Sequence, residues 1–243
     1  MKTGVLCIHG FTGGPYEVQP FVEYMQANTD WKIVVPTLPG HGETLELKKL
    51  TAETWMMEAE IAIRRLQKEV DRIYIVGFSM GGIIAIYLSL RYPVEKLLLL
   101  SAAAKYISPA QLLQDIGEVA KEAITGSLED NPLYQIYGKK LKETPLHAAF
   151  EFVRLVKMVE PYYHQVKIPV CLVQGKRDGI VPYKTAPFLY KHLAAKNKKI
   201  IFSEMGKHHI CYSEDCQDWF QEALGFLREM AVPKNNEINK NKG

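Results

Sequence analysis

Cysteine is scarce and scattered in this chain, four in 243 residues. Cys7 and Cys171 fall inside apolar runs, and Cys211 and Cys216 lie near the C-terminus, in no spacing that makes a disulfide ladder or a zinc site. A small disulfide-stapled scaffold is excluded, and a reducing, cytoplasmic setting is expected. Long apolar runs are missing as well. Stretches such as "LLLLSAAA" are too short to cross a bilayer, and the short run in "MKTGVLCIHG" leads into glycines with no small-residue cleavage site. No transmembrane segment is expected. Nor is there an excess of one charge. Lys and Arg number 30 against 27 Asp and Glu, and residues 233–243 carry +2 of the net +3 through Lys234, Lys240 and Lys242 against Glu237. The nearly neutral remainder argues against a nucleic-acid groove. No histidine has a partner at metal-ligand spacing, so neither a metal nor a cofactor is expected.

What is present is enough apolar residue, 47%, to bury one sizeable core. Short β-rich runs recur at "GVLCI", "KIVVP", "RIYIVGF", "KLLLLS", "PVCLVQG" and "KKIIFSE", most without polar alternation. Strands of that kind are covered on both faces, as in a mostly parallel sheet wrapped by helices. Helical periodicity fills the gaps: Trp55, Ala59, Ala62, Leu66 and Val70 share one face, Ile83, Ile84, Tyr87 and Leu88 another, and Trp219, Phe220, Ala223, Leu224 and Leu227 a third. The class is α/β. Alternation breaks only after the strand at 96–101, where 104–165 carries helical spacing and no convincing strand. That stretch is expected to be a helical cap over the sheet's carboxyl edge, on a core made of 1–103 and 166–232. The polar stretch 233–243 reads as disordered.

Gly77-Phe78-Ser79-Met80-Gly81 matches G-x-S-x-G between a strand and a helical pattern, the context that gives the motif meaning. A strand turning into a helix within one residue strains the serine and leaves room only for hydrogen at the flanking positions. Ser79 is thereby lifted to the start of a helix, where backbone N–H groups and the dipole favour negative charge. The loop "CIHGFTGGPYE" follows the first strand. It is placed to supply a second N–H, that of Phe11, to pair with that of Met80 on a developing oxyanion, and its glycines are expected to let the backbone approach a substrate. His9 is expected to bond within the loop. A serine hydroxyl is a poor nucleophile without a base and an orienting acid, in the order Ser, acid, His. "PVCLVQGKRDGIVP" presents Asp178 on a turn after a strand. "KKIIFSEMGKHHICYSED" offers His208 and His209 as alternative bases.

These motifs, together with Pro39-Gly40-His41-Gly42, resemble the α/β-hydrolase superfamily, and within it the small bacterial carboxylesterases and monoacylglycerol lipases, over nearly the whole chain. The resemblance implies an α/β-hydrolase fold. It also implies Ser79 as nucleophile, Asp178 as acid, Phe11 and Met80 as oxyanion donors, and His41 in a structural turn. Gly206-Lys207 ahead of a histidine doublet departs from the family's single histidine. An ungapped match from "KKIIFSE" places the family's histidine on His208.

The 104–165 segment supplies apolar side chains, Ile116 and Phe150 among them, suited to lining an acyl site, although burial against the sheet is an alternative use for them. The partner expected is a small acyl ester of short to medium chain, to which the resemblance adds monoacylglycerols, with a homodimer left open. A thioesterase or acyltransferase, a C–C hydrolase, and a non-catalytic ligand-binding relative remain as alternatives. The last is disfavoured because every triad member is present.

Overall fold

The structure, a computed structural model, describes residues 1–105 and 144–229. Among them six strands form one sheet: β1 (Thr3–Ile8), β2 (Lys32–Val34), β3 (Arg72–Phe78), β4 (Lys96–Leu100), β5 (Val170–Gly175) and β6 (Lys198–Ser203). All pairings are parallel, in the order β2-β1-β3-β4-β5-β6. The chain steps from β1 to β2 in one direction and then reverses to β3 on the other side of β1. The loops leaving β1 and β3 therefore diverge at neighbouring carboxyl ends, and that crevice is where open α/β sheets place their ligands.

The described helices are α1 (Gln19–Asn28), α2 (Ala52–Leu66), α3 (Met80–Arg91), α4 (Leu146–Val159), α5 (Thr185–His192) and α6 (Cys216–Arg228). Successive strand residues point to opposite faces, which divides the core in two. Ile73, Ile75, Leu97 and Leu99 pack with α2, α3, α4 and α5. Tyr74, Val76, Leu98 and Leu100 pack with α1 and α6. Coverage on both faces is why these strands read as unbroken apolar runs. Helix α3 is buried nearly all round, from Met80 to Ile86 without a break, so it exceeds the single apolar face expected of it. Buried Lys96 reaches the end of α6, where its ammonium donates to the carbonyls of Phe226 at 2.7 Å, Leu227 at 3.1 Å and Glu229. These are acceptors that the helix itself leaves unsatisfied. The four cysteines are free thiols, and burial pushes that of Cys171 up to about 12.

Of the segment expected as a cap, residues 106–143, including Ile116, lie outside the described residues, as does the polar stretch 233–243. The described part is helical. Helix α4 turns Ala148, Phe152, Leu155 and Val156 into the same core as α2 and α3. Glu151 accepts the N–H of Ala52, the first residue of α2, at 3.0 Å, and Arg154 bridges Glu151 and Glu53.

Candidate active site

Ser79 sits between β3 and α3 with φ 52° and ψ −116°, a sparsely populated conformation that costs on the order of 1–3 kcal/mol. Three backbone bonds hold it there: its N–H to Leu100 at 2.9 Å, and its carbonyl from Gly82 at 3.0 Å and Ala103 at 3.2 Å. The flanking glycines are a matter of space. A Cβ at Gly77 would stand 2.7 Å from Gly82 Cα, and one at Gly81 would run into the carbonyls of Ile8 and His9 at the end of β1. The strand-to-helix turn thus presses against both its own helix and the neighbouring strand.

The structure brings Ser79, Asp178 and His208 together from the ends of β3, β5 and β6. His208 Nε2 lies 3.1 Å from Ser79 Oγ, and its Nδ1 lies 3.1 and 3.0 Å from the two oxygens of Asp178. With Nδ1–H donating to the carboxylate, Nε2 is left as an acceptor for the serine hydroxyl. Asp178 Oδ1 also accepts the N–H groups of Ile180 at 2.9 Å and Val181 at 2.8 Å, and Oδ2 accepts the Gln174 amide at 3.1 Å. Burial by itself would raise this carboxyl's pKa. The His208 charge and hydrogen bond, with the two backbone donors, outweigh that and hold it below the usual carboxylate range. Asp178 is therefore ionised, and at neutral pH it can orient imidazole and stabilise imidazolium.

His209 points elsewhere, with Nε2 3.4 Å from Glu17 Oε1. His9 accepts the Leu38 N–H at Nε2, 3.0 Å, and its Nδ1 lies 2.9 Å from the Gly10 carbonyl. It is fully buried and ties the loop after β1 to the segment after β2. His41 is likewise buried, its Nδ1 3.0 Å from the Pro39 carbonyl.

The amides of Phe11 and Met80 donate to no group among the described residues, and that of Met80 opens α3, where the dipole adds positive potential. Phe11's ring is pinned by Phe152, stacked at 5.3 Å, and Trp55, edge-on at 5.9 Å. The glycines of this loop differ in use from the expectation. Their bare faces turn to protein: Gly13 abuts the Glu17 carboxyl, Gly10 the Phe78 ring and Gly14 the Tyr16 ring. Close packing of the loop on its own chain, rather than room for a substrate, requires them.

Phe150, expected at the acyl site, is 54% exposed. Its neighbour Phe152 is the one that touches the donor loop. Three residues at the site escaped sequence reasoning. Gln174 carried a signal, an amide in an otherwise apolar strand four residues before the acid. Glu17 and Phe152 carried none, being an acid in a polar loop and one apolar position among several. Among the described residues no group of three or more His, Cys, Asp or Glu is placed to hold a metal, and no helix is long and apolar enough to cross a membrane.

A family described as Hydrolase_4, serine aminopeptidase, S33, matches residues 1–215. A thermostable monoacylglycerol lipase of Bacillus sp. (strain H-257) is 25% identical over 94% of this chain and 91% of its own. A carboxylesterase of Bacillus subtilis (strain 168) is 21% identical over 93% and 92%. Among solved structures, one described under two metagenome-derived lipolytic enzymes, LipS and LipT, superposes with a TM-score of 0.76 at 21% identity, covering 94% of each chain.

Proposed function

The chain belongs to the Hydrolase_4 (serine aminopeptidase, S33) family of α/β-hydrolases, and on that premise we propose that it is a serine carboxylic-ester hydrolase for short- to medium-chain acyl esters, monoacylglycerols included. The observation that carries this reading is the continuous relay from Asp178 through His208 to Ser79, at 3.0 and 3.1 Å, beside two amides free of described partners. The relatives named as a monoacylglycerol lipase and a carboxylesterase support the substrate class.

In this mechanism His208 Nε2 takes the Ser79 proton as Oγ attacks the ester carbonyl carbon. Asp178 holds the ring and stabilises the imidazolium without itself being protonated. The carbonyl oxygen, now anionic, accepts the N–H groups of Phe11 and Met80, and losing one such donor costs about 3–4 kcal/mol. His208 then protonates the leaving alcohol. A water, deprotonated by the same nitrogen, attacks the acyl-enzyme, and the acid leaves as Ser79 recovers its proton. Phe150, with Ile116, belongs in this reading to the acyl site.

The test is a fluorophosphonate probe combined with graded p-nitrophenyl esters, monoacylglycerols and an aminoacyl p-nitroanilide. One adduct on the intact chain, absent in Ser79→Ala, together with ester turnover, supports the proposal. Labelling elsewhere, no labelling, or turnover of the anilide alone overturns it.

A further inference from the structure

The mechanism leaves one buried carboxyl unused. Glu17 is 2% exposed and ends the short turn Pro15–Glu17 that follows the donor loop. Its Oε2 accepts the N–H of Gly10 at 2.7 Å, and the next amide along the chain is that of Phe11. The loop folds around it so tightly that a Cβ on Gly13 would fall on the carboxyl itself. Its other oxygen lies 3.4 Å from Nε2 of His209, the residue directly after His208. Oε2 also lies 4.0 Å from His9 Nδ1. A second tie runs beside the first, from the Tyr212 hydroxyl to the Tyr16 carbonyl at 2.6 Å. Phe78 packs against both histidines, with ring centroids 5.1 and 5.9 Å away.

Burying a carboxylate is costly, several kcal/mol before compensation, and an apolar side chain would fill the same space without that cost. What a carboxylate adds is reach in two directions. One oxygen holds the loop that carries an oxyanion donor, and the other meets the loop that carries the base. These loops follow β1 and β6, which have three strands, β3, β4 and β5, between them in the sheet, so no backbone ladder sets one against the other. Misplacing a reacting group by about 1 Å costs on the order of 10²-fold in rate.

We propose that Glu17 is a positioning residue, a single buried carboxyl that sets the Gly10–Phe11 donor loop in register with the His208–His209 loop. The inference rests on the reading of Ser79 and His208 as nucleophile and base. It predicts damage to the transition state with little change in ground-state binding. Glu17→Gln keeps an acceptor for Gly10 but puts an amide NH2 in place of the carboxyl oxygen that faces His209. His209→Gln leaves the Gly10 bond untouched.

The experiment compares both variants and their combination with wild type on p-nitrophenyl butyrate, at a temperature where circular dichroism shows all of them folded. It adds inhibition by an alkyl boronic acid, whose tetrahedral adduct on Ser79 places an oxygen where the oxyanion develops. Expected are a fall in kcat of about tenfold or more for Glu17→Gln with KM within about threefold, and a parallel weakening of the boronate. His209→Gln should show a smaller loss of the same kind, and the double variant should fall short of the product of the two. A kcat and boronate affinity within about twofold of wild type, a change in KM alone, or fully multiplicative losses would each overturn the proposal. If Glu17→Gln does not fold, His209→Gln decides on the same readouts. If wild type turns over no ester, the proposed function falls, and the rate at which fluorophosphonate labels Ser79 carries the same comparison.

Discussion

His208 and His209 are adjacent in the chain, yet their rings stand 71° apart with centroids separated by 5.7 Å. The turn at Ile210–Tyr212 begins immediately after them. The two imidazoles consequently serve different carboxyls, Asp178 and Glu17. His208→Ala should lose about three or more orders of magnitude in kcat, the scale for a missing triad member, while remaining folded. His209→Ala should lose about tenfold at most. Steady-state rates on one ester check both, and a larger loss in His209→Ala would reverse the assignment of the base.

Phe152 should matter to both stability and turnover. Its ring is 1% exposed and stacks on Phe11, so truncation removes core volume and the support of the donor loop together. Phe152→Ala should cost about 3–5 kcal/mol in denaturant unfolding and, below its melting range, lower kcat/KM by about tenfold. Unchanged kcat/KM in the folded variant would reduce Phe152 to a core residue. Phe150→Ala, at an exposed position, should cost less than about 0.5 kcal/mol. Its place at the acyl site is read instead from a shift in chain-length preference.

Acid should destabilise the fold through specific carboxyls. Burial works to raise Asp178 and Glu151, but the charge and hydrogen bonds of His208 on the first, and the Arg154 and Ala52 hydrogen bonds on the second, leave both below their ordinary values of 3.8 and 4.5. A carboxyl with a lower pKa in the folded state binds fewer protons there than in the unfolded chain. Its contribution to stability is complete above the ordinary value and is lost as pH falls through the folded one. The urea midpoint should therefore hold between about pH 7 and 5 and fall below about pH 4. Asp178→Asn should be the weaker protein at neutral pH, and the gap should narrow in acid. An equal gap at both ends would show that Asp178 does not contribute in this way.

Much of this molecule was legible in one dimension because its information is local. The six described strands were visible as apolar runs, and in β1, β3, β4 and β5 nearly every residue is buried, so no polar side disguises them. "KIVVP" shrank only to the three residues that pair with β1. Ser79 was legible because a strand-to-helix turn with no room for a Cβ demands glycines at fixed offsets. Asp178 was legible because it lies on the turn after a strand, in the expected chain order. What the sequence could not decide is what depends on side-chain direction and on contacts across the sheet. Choosing between His208 and His209 requires the angle at which the loop after β6 meets the carboxyl after β5. Gly13 looked like room for a substrate until the fold placed Glu17 against it. Phe150 and Phe152 lie two residues apart on one helix, and only the packing of α4 on α2 and α3 decides which of them meets Phe11. Periodicity and motif spacing record what each residue does to its own segment, whereas a site is assembled by loops from β1, β3, β5 and β6 that strand order brings to one edge and side-chain contacts between loops then fix.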